Sequence, residues 1–212
     1  MIRALFLLVS LLLAAPAAAQ GSAPKPPVRV LLHTSAGDIM LELETKKAPI
    51  TAANFLRYVD TKRLDGAEIY RSMKTGPAAG LIQGGVRDGR KLLPPIAHEP
   101  TSRTGLSHVD GALSVPRLGL GTARGDFTIM VGDQLYLDAG PGSAGDGQGY
   151  AVFGRVVDGM DVARRVLVAP TSATEGEGVM RGQMLSPRIR ILTARRISAQ
   201  AGAKAPVASS SK

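Results

Sequence analysis

The sequence predicts a mainly β domain: a closed eight-stranded antiparallel β-barrel capped by two α-helices. Three observations predict it. The 212 residues include 25 Gly and 14 Pro, which mark many turns and therefore short segments rather than a helical bundle. Eight short stretches are β-branched or alternate apolar with polar residues, and only two have helical spacing. An antiparallel sheet with that many strands exposes its edges unless it closes on itself. The two helices would then plug the barrel ends.

The strands are expected at Val28–His33, Asp38–Glu44, Ala67–Met73, Leu81–Gly84, Ala112–Val115, Phe127–Val131, Ala151–Val156 and Ser186–Ile197. The first two read as a hairpin around Thr34-Ser-Ala-Gly-Asp38, with Ile39, Leu41 and Leu43 on one face and Met40, Glu42 and Glu44 on the other. Ala48–Asp60 has helical spacing: Ala52, Phe55, Leu56 and Val59 fall at i, i+3, i+4 and i+7, and Pro49 suits a first turn. Met160–Leu167 is the second helix. In the last strand Arg188 and Arg190 alternate with Ile189 and Ile191.

Residues 1–19 read as a secretory leader. One positive residue, Arg3, precedes an apolar stretch from Ala4 to Ala15, and Ala17-Ala18-Ala19 supplies small residues for cleavage. The stretch is short of the ~20 residues that span a bilayer. Residues 20–27 (QGSAPKPP) form an expected flexible linker, residues 28–197 the barrel domain, and residues 198–212 a disordered tail. The expected location is therefore the periplasm or the medium, with no stable membrane anchor after cleavage. The 212-residue length, at ~150 residues per domain, fits one domain with such extras.

Composition excludes several chemistries. Cysteine is absent, so disulfides, thiol nucleophiles and thiolate-bound zinc are ruled out. The three histidines, His33, His98 and His108, are isolated and lack metal-ligand spacing. Gly119-Leu-Gly121-Thr-Ala-Arg-Gly125 lacks the Lys-Ser/Thr of a phosphate-binding loop, and Ser143 follows Gly142 directly, without nucleophile-elbow spacing. The net charge of +9 is spread in pairs of basic residues at most. It reads as a solvated basic surface rather than a nucleic-acid footprint. No cofactor, metal or nucleic acid is expected.

One constellation stands out. Tyr70-Arg71 sits on one expected strand and Leu81-Ile82-Gln83-Gly84-Gly85 on the next, so strand alternation can aim Arg71 and Gln83 at one surface. The two glycines would let another chain approach the backbone closely.

These segments, in this order, are similar to those of the cyclophilin family of peptidyl-prolyl cis/trans isomerases, its bacterial periplasmic members above all. The resemblance runs from about Val28 to Ile197. TSAGDIMLELETKKAPITAANFLRYVD resembles the family's first hairpin and helix, LDGAEIYRSM its catalytic strand, and LIQGG the hallmark that follows. GLSHVDGALSVPR, GDFTIMVGDQLYLD and GYAVFGRVVDGMDVARRV resemble its later strands and last helix. The resemblance implies isomerisation of X-Pro bonds in proline-containing polypeptides, a reaction that makes no bond and needs no nucleophile, metal or cofactor. It implies that Arg71 stabilises the twisted amide and that Gln83 holds the substrate backbone. Leu81, Phe127, Tyr136, Leu137 and Tyr150 would line the proline pocket and its rim, with Tyr70, Arg117, Asp126 and Thr128 also contacting substrate. A monomer is expected from the family resemblance alone.

The match has departures that describe a diverged site. Gly80 stands where an aromatic is usual, Leu81 where methionine is, Tyr70 where histidine is common, Asp126 where glutamine is, Thr128 where a second phenylalanine is, and Pro116 where alanine precedes Arg117. The Arg71-to-Gly80 connection is longer than usual. Asp126 could pair with Arg71 or deprive a substrate of its donors. A proline-peptide-binding or chaperone module with weak turnover is the alternative reading, and an envelope-anchoring role for the basic tail a further one.

Overall fold

The computed structural model describes residues 26–197, so the expected leader, most of the expected linker and the expected tail lie outside the described residues. In chain order the elements are β1 (Val28–Thr34), β2 (Gly37–Leu43), α1 (Pro49–Asp60), β3 (Glu68–Lys74), β4 (Gly80–Gly85), α2 (Thr101–Thr104), β5 (Ala112–Val115), β6 (Asp126–Val131), β7 (Ala151–Asp158), α3 (Met160–Val168), β8 (Thr171–Ser172) and β9 (Met184–Ile197). The sheet runs β1-β2-β7-β5-β6-β4-β3-β9, and β1 pairs again with β9 to close the ring. Eight antiparallel strands thus form the barrel, as expected. The two-residue β8 only extends the sheet beside β9. Among the described residues there are three α-helices rather than two; α2 is a single turn, too short to leave a periodic signature.

Alternation decides which residues fill the barrel. Leu32, Ile39, Leu41, Ile69, Ile82, Leu113, Phe127, Ile129, Val131 and Phe153 point inward and are buried. Phe55 on α1 plugs one end, meeting the Phe127 ring edge-on at 5.7 Å and the Phe153 ring at 5.3 Å. α3 plugs the other end with Val162, Ala163, Val166 and Leu167. The start of α1 has no local side-chain cap. The buried Glu99, far along the chain, serves instead: its carboxylate accepts the backbone N–H groups of Ile50 at 3.2 Å and Thr51 at 2.7 Å, where the helix dipole favours negative charge.

A smaller apolar cluster lies on the outer face of the sheet, made of Leu81, Ala112, Met130, Leu137 and Val152. Beneath it runs a buried polar chain. His108 is fully buried; its Nδ1 meets Asp138 at 2.6 Å and its Nε2 meets the Ser114 hydroxyl at 2.9 Å. Asp138 also accepts the backbone N–H of His108 at 3.0 Å and the Ser107 hydroxyl. The chain ties the segment before β5 to the turn that carries Leu137.

Burial pushes the His108 imidazole below its usual pKa, outweighing the attraction of Asp138. The folded state therefore favours neutral His108, whereas the unfolded chain takes up a proton below about pH 6.5. Stability should fall as pH drops from there, by up to about 1.4 kcal/mol per pH unit. Urea unfolding at pH 7.5 and 5.5 checks this; the same pH slope in His108→Gln would contradict it. In the core, Phe153→Ala should cost about 3–5 kcal/mol in the same measurement.

Candidate functional site

β3 and β4 pair with Arg71 opposite Gln83, but the register shifts between Ile69 and Arg71, so Tyr70 is an extra residue in the ladder. Such a bulge breaks the up-down alternation. Tyr70 and Arg71, although consecutive, both line the outer groove. Close approach of neighbouring strands explains the two glycines. A Cβ on Gly84 would lie 2.8 Å from the Glu68 carbonyl and one on Gly85 2.5 Å from the Asp126 Cα. The chain that comes close is the protein's own, not a bound one.

The groove encloses about 730 Å³. Its wall is built in rows along β4 and β6, which pair Leu81 with Met130, Gln83 with Thr128, and Gly85 with Asp126. At one end Met73, Leu81, Met130 and Leu137, with Tyr136 and Tyr150 at the rim, form an apolar slot. The middle holds Arg71, Gln83, Ser114 and Thr128. The far end holds Tyr70, Asp126, Arg87 and Arg124.

The Arg71 guanidinium is held without a carboxylate. Its Nε donates to Gln183 Oε1 at 2.8 Å, its Nη1 to Gln83 Oε1 at 2.9 Å, and its Nη2 approaches the Met73 sulfur at 3.4 Å. A guanidinium can only donate, so Gln83 must turn its carbonyl oxygen toward Arg71 and its amide the other way. That amide donates to the Tyr70 hydroxyl at 2.6 Å and to Asp126 Oδ2 at 3.0 Å, and the Tyr70 hydroxyl donates to the same oxygen at 2.7 Å. Both amide hydrogens of Gln83 are thus engaged within the protein in this arrangement. Burial lowers the Arg71 pKa from its usual value and raises those of Asp126 and Tyr70; for Tyr70 the Asp126 charge adds to burial, and for Asp126 the Tyr70 and Gln83 hydrogen bonds act in opposition. Arg71 remains a cation.

Of the residues singled out from the sequence, the groove brings together Tyr70, Arg71, Leu81, Gln83, Asp126, Thr128, Tyr136, Leu137, Tyr150 and Arg117. Phe127 is not among them. It points into the barrel, 1% exposed, because alternation along β6 sends Asp126, Thr128 and Met130 outward and Phe127 inward. Asp126 does not pair with Arg71; Gln83 stands between them. Arg117 is turned to an internal task. It grips Asp146 at 2.6 and 2.8 Å and the Gly149 carbonyl at 2.7 and 3.0 Å, pinning the loop between Leu137 and Tyr150. The Arg117 guanidinium holds the Asp146 carboxyl down at about 2.

Sequence reasoning missed Met73, Met130, Arg87 and Arg124 of the groove wall and, above all, Gln183 from the segment before β9. It lies 112 positions from Arg71 and has no motif around it, so only the tertiary structure reveals it. Met180 of the same segment also lines the groove. Among the described residues no cluster of His, Cys, Asp and Glu suits a metal ion.

Residues 29–195 match the family of cyclophilin type peptidyl-prolyl cis-trans isomerases. Peptidyl-prolyl cis-trans isomerase A of Dickeya dadantii is 36% identical over 141 residues, which cover 65% of this chain and 70% of that one. Peptidyl-prolyl cis-trans isomerase cyp18 of Streptomyces antibioticus is 34% identical over 152 residues, covering 69% and 87%. A crystal structure of a cyclophilin type isomerase from Cryptosporidium parvum superposes with a TM-score of 0.63 at 19% identity, covering 82% of this chain and 99% of that one; the same protein was also solved in the presence of the dipeptide Ala-Pro. With the barrel closed, and the family match spanning nearly all of it, the chain belongs to the cyclophilin type peptidyl-prolyl cis-trans isomerases.

Proposed function

We propose that Arg71 is the catalytic residue and that the chain isomerises X-Pro bonds of exported proteins in or beyond the cell envelope. The observation that carries the mechanism is a half-buried guanidinium, held by two glutamine carbonyls, beside an apolar slot. Rotation about an X-Pro bond faces a barrier of about 20 kcal/mol because it breaks amide resonance. The proline ring would enter the slot formed by Leu81, Met130 and Leu137. The substrate carbonyl, or the pyramidal nitrogen of the twisted amide, would then accept a hydrogen bond from Arg71. That nitrogen regains its lone pair only as the amide twists, so the bond strengthens in the transition state. Neutral acceptors leave the positive charge uncancelled, and their fixed positions spare reorganisation during the turn.

The leader-like residues 1–19 support action after export. Thr128, which lines the groove where the family resemblance has a large ring, supports a roomier groove than is usual in the family, with turnover slower for small X-Pro peptides. A second reading, client binding without efficient turnover, draws support from Leu118, a groove-lining side chain that is 99% exposed at the rim.

Exchange NMR on an Ala-Pro peptide should give a kcat/KM at least 100-fold lower for Arg71→Ala, with Arg71→Lys recovering little because ammonium lacks the planar fork. Equal rates for wild type and Arg71→Ala would overturn the catalytic assignment. Client binding unchanged in Arg71→Ala would favour the second reading. Gln183 acts through Arg71, as a positioning residue. Gln183→Ala should lower kcat about tenfold while KM changes little, and Gln183→Glu, which keeps an acceptor, should recover part of the loss.

A further inference from the structure

Nine arginines form ion pairs with carboxylates: Arg29, Arg90, Arg117, Arg155, Arg164, Arg165, Arg188, Arg195 and Arg196. Two exposed groove arginines, Arg87 and Arg124, form none among the described residues. The Arg87 side chain is held over a ring, whereas Arg124 is fixed at its backbone. The Arg87 guanidinium lies 4.5 Å over the Tyr70 ring. The backbone of Arg124 is anchored from α1: its carbonyl accepts from Asn54 Nδ2 at 2.7 Å, and Asn54 is steadied by Arg57 at 2.9 Å. The next carbonyl, of Gly125, accepts the Val86 N–H at 3.2 Å. The guanidinium of Arg124 is left free at the groove wall. Asp126 is the only carboxylate among the lining residues, and its Oδ2 is occupied by Tyr70 and Gln83.

We propose that Arg87 and Arg124 select substrates with an acidic side chain, Asp or Glu, two to four residues from the isomerised proline. This rests on the isomerase reading of the same groove. The spacing follows from the wall. The Leu81–Met130 row of the proline slot and the Gly85–Asp126 row next to the two arginines are four residues apart along β4. At ~3.3 Å per strand residue that is about 13 Å, which an extended peptide covers in about four residues. A substrate carboxylate arriving there meets two cations that form no ion pair among the described residues, with Asp126 acting on Arg87 only through space. A substrate lysine meets the same two cations and is repelled. The preference acts through partly solvated charges, so it weakens as salt rises.

The test is exchange NMR, with no coupling protease whose own charge preference would interfere. Ala-Pro peptides carry Glu, Gln or Lys at each position two to four residues before or after the proline. At low salt, at least one position should show kcat/KM about fivefold higher for Glu than for Lys, a ratio that shrinks in high salt. The ratio should collapse toward one in Arg87→Gln/Arg124→Gln, and Arg124→Glu should reverse it toward Lys. Equal turnover of all peptides by the wild type overturns the proposal, as does a Glu preference that survives in the double variant. If no peptide is turned over, the isomerase reading fails instead. Fluorescence anisotropy with labelled Glu and Lys peptides then decides the acidic preference alone: tighter Glu binding that needs the two arginines upholds it, and equal binding overturns it.

Discussion

One extra residue in β3 organises the groove. Without the bulge at Tyr70, strict alternation would send either Tyr70 or Arg71 into the barrel, whose apolar interior offers a guanidinium no partner. With it, the phenol and the guanidinium share the outer face and reach the same glutamine from opposite sides. Gln83 becomes the hub. Its carbonyl faces a group that only donates and its amide faces two that accept, so the flip of the amide is settled by chemistry. The glycines after it let β3 and β6 close in around that hub.

The charges of the groove follow a division of labour. Asp126 and Arg71 are both half-buried charged groups that would attract one another, and direct pairing would consume the donors Arg71 needs. Gln83 separates them and satisfies both. Arg117 takes the opposite course: a carboxylate and a carbonyl occupy its donors, and it serves to hold the loop that leads into Tyr150. Two arginines in one groove thus differ in their partners, one neutral and one anionic, and that difference separates a donor left available from a structural clamp.

Much of the site was legible from strand logic. Arg71 and Gln83 fall on adjacent segments with matching alternation, and their cross-strand pairing is what that pattern implies. Phe127 was misplaced although the same alternation was visible: Phe127, Ile129 and Val131 form one apolar set and Asp126, Thr128 and Met130 the other. Resemblance to a family stretch outweighed the period of the strand, and the period was right. Gln183 left no trace in the sequence, because a side chain that meets its partner across more than a hundred residues carries no local spacing.

The absence of cysteine excluded disulfides and thiol chemistry, and periodicity and turn residues were sufficient by themselves to determine the barrel, its eight strands and its two principal helices. These are set by local rules: which face is apolar, where glycine and proline interrupt, and how an antiparallel sheet hides its edges. The tertiary structure alone decided which arginines are paired and which remain free, which face Tyr70 takes, and how Gln83 is oriented. Those depend on distances between segments that closure of the barrel brings together, and a one-residue shift in register reverses every side chain they involve.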